Sequence, residues 1–340
     1  MKKRLLAMLL AGAMCASLAA CGGDTSSAGT ETGGETGTET SGEGYSIDVI
    51  LKTTASEYWS YVQAGAEAYE TEHPEVTVEV KGASSETAYD EQQNMIETDL
   101  NSGAYDAFVI APLQADLVKT LIAGQTAPII AVDTDIDAPE VLSFVGTGNE
   151  EAAAMGGEAA VEAAKEAGWA DDQLTAISIS GVQGDSTAEA RLAGYQKGVE
   201  AAGGTFLADE IQYANAVADQ AATSMEAIMQ NHPEGVAMIL CNNDDMAMAA
   251  ARAASGNSAY ANTIFVGFDG IQSACNAILN GEETMSVAQE AYDMGYKAVE
   301  AAVAALNGEE LEDFIDSGCS VITADNAQER LDTLKGYLGE

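Results

Sequence analysis

Histidine is almost absent from this sequence of 340 residues, which contains only His73 and His232. Both precede a proline in two similar connectors, "EHPEV" at 72–76 and "NHPEGV" at 231–236, and proline commonly ends a helix before the next strand. A histidine-based catalytic dyad or a histidine-rich metal site therefore has little material in this chain.

Other common signatures of enzymes are missing too. The segment "GTGNEE" at 146–151 lacks the third glycine of a dinucleotide loop, no G-K-[ST] follows a glycine-rich turn, and "GDSTAEAR" at 184–191 does not fit G-x-S-x-G. No calcium-binding D-x-[DN]-x-[DN]-G loop is visible. We expect a protein that is not an enzyme and holds neither cofactor nor metal, although chemistry carried by carboxylates alone would leave no clear motif.

Basic residues are scarce: 13 Lys and Arg stand against 55 Asp and Glu, for a formal net charge of −42. Such an acidic chain is repelled by phosphate backbones, so we expect no nucleic-acid partner. The acidity favours solubility outside the cell, and we infer no cationic substrate from it.

Cysteine is also rare, with five in the chain. Beyond Cys15 and Cys21 there are Cys241, Cys275 and Cys319, an odd number without metal-type spacing. Buried free thiols are the favoured interpretation, and a Cys275–Cys319 disulfide stays open for an exported protein.

The N-terminus has its own pattern, with three basic residues followed by the apolar run "LLAMLLAGAMCASLAA" at 5–20, which is short for a membrane span. We predict a signal peptide at 1–20. The segment "LAAC" at 18–21 resembles the lipobox of bacterial lipoproteins, which makes Cys21 the predicted lipid attachment site. The alternative is an ordinary signal peptide with a chance cysteine.

Residues 22–44 consist almost entirely of Gly, Ser, Thr and acidic residues, which cannot form a core. We therefore predict that 21–44 is an acylated cysteine followed by a flexible acidic linker. Loss of the signal peptide removes three basic residues and takes the formal charge from −42 to −45.

From residue 45 onward, ten short β-rich segments alternate with Ala-rich amphipathic stretches, from "YSIDVIL" at 45–51 to "TMSVA" at 284–288. Apolar strands separated by helices indicate parallel sheets covered on both faces. The pattern predicts an α/β protein with two doubly wound parallel-sheet lobes.

Polar side chains follow several of these predicted strands: Lys52, Asp133, Asn242 with Asn243, Asp269 and Gln289. Ligands of open parallel α/β sheets bind at the carboxyl ends of the strands, so these residues predict a binding surface. For a single one, such as Asp269 before "GIQSACNAIL", a helix cap is the competing interpretation.

Several segments in order carry a resemblance to a known family: "SEYWSYVQAGAEA", "PIIAVDTD", "GDSTAEARLAGYQKGVEAAGG", "CNNDDMAMAAARA", "VGFDG" and "MSVAQEAYDMGYKAVEA". Over residues 45–325 the chain resembles the periplasmic sugar-binding proteins of ABC importers, the type I group that includes ribose- and galactose-binding proteins. The resemblance implies the type I periplasmic-binding-protein fold, with two lobes joined by three crossings.

The resemblance also implies the lobe boundaries. The N-terminal lobe comprises 45–146 and 290–316, and the C-terminal lobe comprises 147–289 and 317–340. The implied hinges are Gly146 to Gly148, Gln289 to Glu290, and Asp316 to Gly318.

Five polar ligand contacts follow from the matching motifs: Asp133, Arg191, Asn243, Asp269 and Gln289. Sugar hydroxyls both donate and accept, so carboxylates, amides and a guanidinium can satisfy them. Arg191 stands one turn into a helix that Ser186 and Glu189 are expected to open as a capping box.

The family's aromatic pair within "NPFF" corresponds to "SEYW" here, which places Tyr58 and Trp59 against the sugar ring and Ser56 at the Asn position. Packing in the core is the alternative for one of the two rings.

Two further positions depart from the family. Lys52 replaces a small polar residue, and Thr134 stands where ribose binders carry a second arginine. The second-lobe aromatic is missing near Asn215 and Ala216 or shifted to Tyr213, so a ribose binder is not predicted.

The function implied is capture of a monosaccharide, a pentose or hexose, for delivery to an ABC permease with its ATPase. The protein would be a monomer, anchored through acylated Cys21 at the outer face of the cytoplasmic membrane. The alternatives are a sensor that docks on a chemoreceptor or histidine kinase, or a ligand that is an autoinducer, inositol or nucleoside. A transcription regulator is disfavoured by the export signal and the lack of N-terminal DNA-binding helices.

Overall fold

The computed structural model describes residues 44–340. The predicted signal peptide, the lipid site Cys21 and nearly all of the linker lie outside the described residues. None of the helices in the described part combines the length and the apolar character that a membrane span requires.

Thirteen strands lie within residues 44–340: β1 (Tyr45–Thr53), β2 (Val76–Ala83), β3 (Ala107–Ile110), β4 (Ile129–Val132), β5 (Val141–Gly146), β6 (Thr175–Ser180), β7 (Thr205–Phe206), β8 (Gln212–Tyr213), β9 (Met238–Cys241), β10 (Ile264–Asp269), β11 (Met285–Gln289), β12 (Phe314–Asp316) and β13 (Cys319–Ile322). They form a six-stranded sheet, β12-β5-β4-β3-β1-β2, and a second sheet, β13-β11-β10-β9-β6-β7, with β8 also paired to β6. All pairs are parallel except β11 with β13.

Ten α-helices lie in the same part of the chain: α1 (Glu57–Glu72), α2 (Tyr89–Ser102), α3 (Ala115–Ile122), α4 (Asn149–Glu166), α5 (Ser186–Ala201), α6 (Ala218–Asn231), α7 (Asp244–Ala254), α8 (Gln272–Leu279), α9 (Ala291–Leu306) and α10 (Ala327–Leu338). As predicted for the two proline connectors, α1 and α6 end at His73 and His232, which are their C-cap residues.

Helices cover both faces of each sheet because successive strand residues point to opposite sides. In β3, Val109 packs with the apolar residues of α1 and α9, whereas Phe108 and Ile110 pack with those of α2 and α3. In β9, Leu240 packs with α4 and α5, whereas Ile239 packs with α6 and α7. The prediction of two doubly wound α/β lobes is confirmed.

Two details differ from the sequence prediction. The segment "TFLADEIQ", expected to be one strand, is divided into β7 and β8 by a short 3-10 turn at Ala208–Glu210. The short strands β12 and β13 were not predicted, because three and four residues with an exposed Phe314 show no apolar pattern.

The chain passes between the sheets three times, from β5 to α4, from β11 to α9, and from β12 to β13. Helix α9 belongs with α1, since a Cβ at Gly65 would lie 1.9 Å from the Tyr292 carbonyl oxygen and one at Gly295 1.9 Å from that of Val62. The expected hinges lie at these passages, and the lobe boundaries remain a prediction.

An arginine of α10 holds the second passage. Arg330 donates from Nη2 to the Gln289 carbonyl at 2.6 Å, from Nη1 to the Glu290 carboxylate at 2.7 Å, and from Nε to the Gly270 carbonyl at 3.2 Å. The end of β11 is therefore fixed to the C-terminal helix.

The three cysteines of the described region are free thiols, so Cys275 and Cys319 do not pair. Cys241 and Cys275 are buried and Cys319 is half-buried. The favoured expectation of unpaired thiols is confirmed for this part of the chain.

Candidate ligand-binding cleft

A cavity of about 360 Å³ lies between the two lobes, where the carboxyl ends of strands from both sheets meet. Nine of the ten predicted site residues line it: Lys52, Ser56, Tyr58, Trp59, Asp133, Arg191, Asn243, Asp269 and Gln289. The tenth, Thr134, does not.

Thr134 is buried and does not line the cavity, unlike the other predicted contacts. Asp133 has a φ of 63° and is the centre of a tight turn closed by the Thr134 N–H and the Val132 carbonyl at 2.7 Å. This turn directs the Asp133 side chain to the cavity. The Thr134 hydroxyl donates to Asp133 Oδ1 at 2.9 Å and lies 3.2 Å from Thr187 Oγ1 in the facing lobe.

Asp133 is the polar centre of the first-lobe wall. Its Oδ2 accepts a hydrogen bond from the Tyr58 hydroxyl at 2.9 Å, and its Oδ1 lies 3.5 Å from Lys52 Nζ. Burial alone would lower the pKa of Lys52. The nearby carboxylates, Asp133 first, raise the pKa by more than burial lowers it, so the net pKa is raised. Lys52 is therefore a charged partner of Asp133.

The aromatic part of this wall is the start of α1, whose N-cap is Ser56, with no side-chain capping bond. The Tyr58 and Trp59 rings meet edge to face at 81°, with centroids 5.1 Å apart. Both belong to the apolar core and both also line the cavity. Trp59 Nε1 donates to the Glu86 carboxylate at 2.9 Å, which fixes the orientation of the indole.

Arg191 dominates the second-lobe wall. Its Nε donates to Asn149 Oδ1 and its Nη1 to the Asn242 carbonyl, both at 2.8 Å. The guanidinium lies over the Phe268 ring, 3.8 Å from its centroid, and 3.6 Å from Asp269 Oδ1. These contacts immobilise a planar donor at the cavity.

The helix that carries Arg191 has its N-cap one residue earlier than predicted. The N-cap is Asp185, whose carboxylate accepts from the Ala188 N–H at 2.9 Å, and Ser186 is the first helical residue. Glu189 accepts from the Gly184 N–H at 3.1 Å. The predicted capping box at Ser186 is wrong, because the neighbouring carboxylate takes the cap position.

Asp269 has a φ of 116° and is not a helix cap. Its Oδ1 accepts from Gln289 Nε2 at 2.7 Å. Burial raises its pKa well above the ordinary value, and the charge of Arg191 opposes that rise. The Ile271 N–H at the start of α8 is instead bound by Asp244 Oδ2 at 3.0 Å.

Three amide side chains of this wall differ in the hydrogen-bonding atoms that they leave free for a ligand. Asn243 caps α7, since its Oδ1 accepts from the Met246 N–H at 3.0 Å. Gln289 Oε1 and Asn242 Oδ1 are buried acceptors without a hydrogen-bond partner, and both residues line the cavity. Buried polar atoms are nearly always paired, so donors from outside the chain fit here.

Backbone strain is concentrated at the cavity. Within residues 44–340, the non-glycine residues with positive φ are Asp133 at 63°, Asn215 at 52°, Ala216 at 57° and Asp269 at 116°, and all four line the cavity. Such conformations are unfavourable for residues with a Cβ and collect at functional sites.

Comparison with known proteins identifies the family. The sequence profile described as periplasmic binding protein domain matches residues 47–310. The chain belongs to this family. Its members are extracytoplasmic binding proteins and not enzymes.

Two curated members of the family are similar over most of their length. The D-ribose/D-allose-binding protein of Pseudomonas aeruginosa is 28% identical over 298 residues, covering 82% of this chain and 88% of that protein. The D-allose-binding periplasmic protein of Escherichia coli is 30% identical over 255 residues, covering 73% and 80%.

A solved structure shares the fold. The solute binding protein of a carbohydrate transporter from Agrobacterium radiobacter, in complex with D-arabinose, superposes with a TM-score of 0.77 at 24% identity, covering 86% of this chain and 98% of that one.

Several residues that line the cleft were not predicted as ligand contacts: Glu86, Asp185, Thr187, Asn242 and Asp245. Asn242 follows β9 and was predicted only as a strand-end residue. The others lie in loops or first helical turns, where the sequence carries no periodic signal. Among the described residues, no cluster of three or more His, Cys, Asp or Glu side chains is arranged to hold a metal.

Proposed function

We propose that this chain is the solute-binding lipoprotein of an ABC importer and captures a monosaccharide, a pentose or hexose, between its lobes. The observation that carries the proposal is the pair of unpartnered buried acceptors, Gln289 Oε1 and Asn242 Oδ1, at the cavity. Sugar hydroxyls supply donors at close spacing, and leaving such acceptors unpaired costs about 1 to 3 kcal/mol each.

The composition of the wall supports a sugar over an apolar ligand. Arg191 and Asp269 present a donor fork and a carboxylate from one lobe, and Asp133 presents a second carboxylate from the other. Tyr58 and Trp59 offer ring faces and edges for C–H groups. The volume of 360 Å³ is near the lower end of the range of about 300 to 1,000 Å³ for small-molecule pockets.

The relatives support the same ligand class, because two of them are named for binding D-ribose or D-allose and one was solved with D-arabinose. Lys52 beside Asp133 and the non-aromatic segment at Asn215 and Ala216 are the positions expected to set the sugar preference.

The remaining parts of the proposal come from the sequence. Acylation of Cys21 would hold a monomer at the outer face of the cytoplasmic membrane, with residues 22–44 as the linker. The lobes, 45–146 with 290–316 and 147–289 with 317–340, would close on the sugar and dock on a permease whose ATPase drives import.

A thermal-shift screen of the mature protein tests the ligand class. The panel contains pentoses and hexoses, with myo-inositol and nucleosides as alternatives. Because a ligand that binds only the folded state raises the melting temperature, a sugar at 100 times its Kd would stabilise the protein by about 2.7 kcal/mol. A shift given only by nucleosides, or by none of the sugars, would contradict the proposal.

A further inference from the structure

Two helices begin opposite each other beside the cleft, one in each lobe. Helix α1 begins at Glu57, after first-sheet strand β1, and α8 begins at Gln272, after second-sheet strand β10. Side chains in the first two turns of α1 accept hydrogen bonds from backbone N–H groups in the first turn of α8, so the two N-termini face each other. Both ends carry the positive pole of a helix dipole, and their approach is unfavourable unless an anion lies between them.

The carboxylate of Glu57 is that anion. Its Oε1 accepts from the backbone N–H of Ser273 at 3.1 Å and from the Tyr61 hydroxyl at 2.9 Å, and its Oε2 accepts from the Ser273 hydroxyl. The Tyr61 oxygen in turn accepts from the backbone N–H of Gln272 at 3.4 Å. The side chain of Glu57, in the first turn of α1, therefore also caps the first turn of α8.

Helix α8 depends on this contact for its cap. Its N-cap residue, Ile271, has no side chain that could bind the free N–H groups. Asp244 of the same lobe accepts from the N–H of Ile271, which precedes the first helical residue. The N–H groups of Gln272 and Ser273 are bound from the first lobe. Since the first N–H groups of a helix have no intrahelical partner, separating the lobes would take the protein acceptor from two of them.

We propose that Glu57 is a positioning residue for ligand binding, which caps α8 from the facing lobe and so favours closure of the cleft. The inference rests on the proposed function, because closure matters only in a protein that opens to take up a solute. Glu57, Tyr61 and Ser273 lie outside the cavity wall, so the carboxylate acts on closure and does not touch the ligand. Apparent affinity falls in proportion to the fraction of molecules that are closed.

The first experiment measures closure without any sugar. Pulsed electron paramagnetic resonance reports distances between spin labels on exposed positions of α3 in one lobe and α5 in the other. Glu57→Gln is compared with wild type and with Glu67→Gln, a matched change on the exposed side of α1 whose carboxylate is bonded only to Gln63. We expect the ratio of closed to open molecules to fall roughly fivefold in Glu57→Gln, as for loss of a charged cap, and to stay unchanged in Glu67→Gln.

Identical distance distributions for Glu57→Gln and wild type would overturn the proposal, whatever the sugar screen gives. A melting temperature of Glu57→Gln close to that of wild type shows that the variant is folded. The distance measurement and the sugar screen can therefore fail independently.

The second experiment measures affinity by calorimetry with D-allose. Glu57→Gln is expected to raise Kd by up to fivefold, and adding Ser273→Ala to it is expected to change Kd little further, because both changes weaken the same charged contact. Fully additive losses would overturn the direct contact. If wild type binds neither D-allose nor another sugar of the panel, the proposed sugar function fails, and the distance measurement still decides the role of Glu57.

Discussion

The two walls of the cleft are built differently. On the first-lobe wall, Asp133 is already satisfied by Lys52, Tyr58 and Thr134, and the aromatic rings are part of the core. On the second-lobe wall, Asn242 and Gln289 keep buried acceptors without partners. The first wall therefore provides shape and a fixed charge, while the second provides the polar atoms whose pairing depends on the ligand. Substitutions in the second wall should cost the most affinity.

The largest effect is expected for Arg191→Ala. The variant loses the donor fork and leaves Asp269 buried beside no cation, so the free energy of sugar binding should weaken by about 2 kcal/mol or more, or about 30-fold in Kd. Calorimetry with the sugar that gives the largest thermal shift measures this.

Arg252→Ala on α7 is the control, because Arg252 is exposed and does not line the cleft. Arg191→Lys keeps the charge but cannot donate to Asn149 and Asn242 together, so it should recover only part of the affinity. An unchanged Kd in Arg191→Ala would contradict the expectation that the second-lobe wall contributes most of the affinity.

An intermediate effect is expected for the aromatic side of the first wall. Trp59→Ala removes the ring from the cavity and should cost about 1.5 kcal/mol, or roughly tenfold in Kd. Trp59→Phe keeps an aromatic face and loses only the bond to Glu86, so its Kd should rise about two- to threefold. Equal losses in both variants would assign the effect to the Glu86 bond and not to the ring.

The smallest effect is expected for Thr134→Val, which is close in shape and removes the hydroxyl bonds to Asp133 and Thr187. Because Thr134 does not line the cavity and Asp133 keeps Lys52 and Tyr58, the free energy of binding should weaken by about 0.5 kcal/mol, or roughly twofold in Kd. Thr134→Ser, which retains the hydroxyl, is the control, and binding is measured under the same conditions. A loss larger than that of Arg191→Ala would reverse the order of the two walls.

Much of the fold was predictable because buried parallel strands are short, continuous apolar runs separated by helices. The same regularity predicted the strand-end residues Lys52, Asp133, Asn243, Asp269 and Gln289, since parallel strands of one sheet end at one edge. The family resemblance added Arg191, Tyr58, Trp59 and Ser56, which lie on helices or in a loop and follow no strand pattern.

What could not be predicted depends on backbone details that propensities do not encode. The turn at Asp133, with its positive φ, follows from no sequence pattern, and Thr134 after it is buried and does not line the cavity. Glu86 reaches the cavity from a loop after β2, and its role is visible only from its bond to Trp59. The cap of α8 by Glu57 joins residues 216 positions apart, which no local pattern reveals.

Arg330 links a residue that lines the cavity to the second passage between the lobes, from β11 to α9. It donates hydrogen bonds to the carbonyl of Gln289, whose side chain lines the cavity, and to the carboxylate of Glu290, the first residue after β11. Consecutive Cα atoms are about 3.8 Å apart, so the residue proposed to contact the solute and the residue expected to act as a hinge are one peptide unit from each other. A rotation about this peptide unit would therefore move the proposed ligand contact directly, and α10 holds both residues through Arg330.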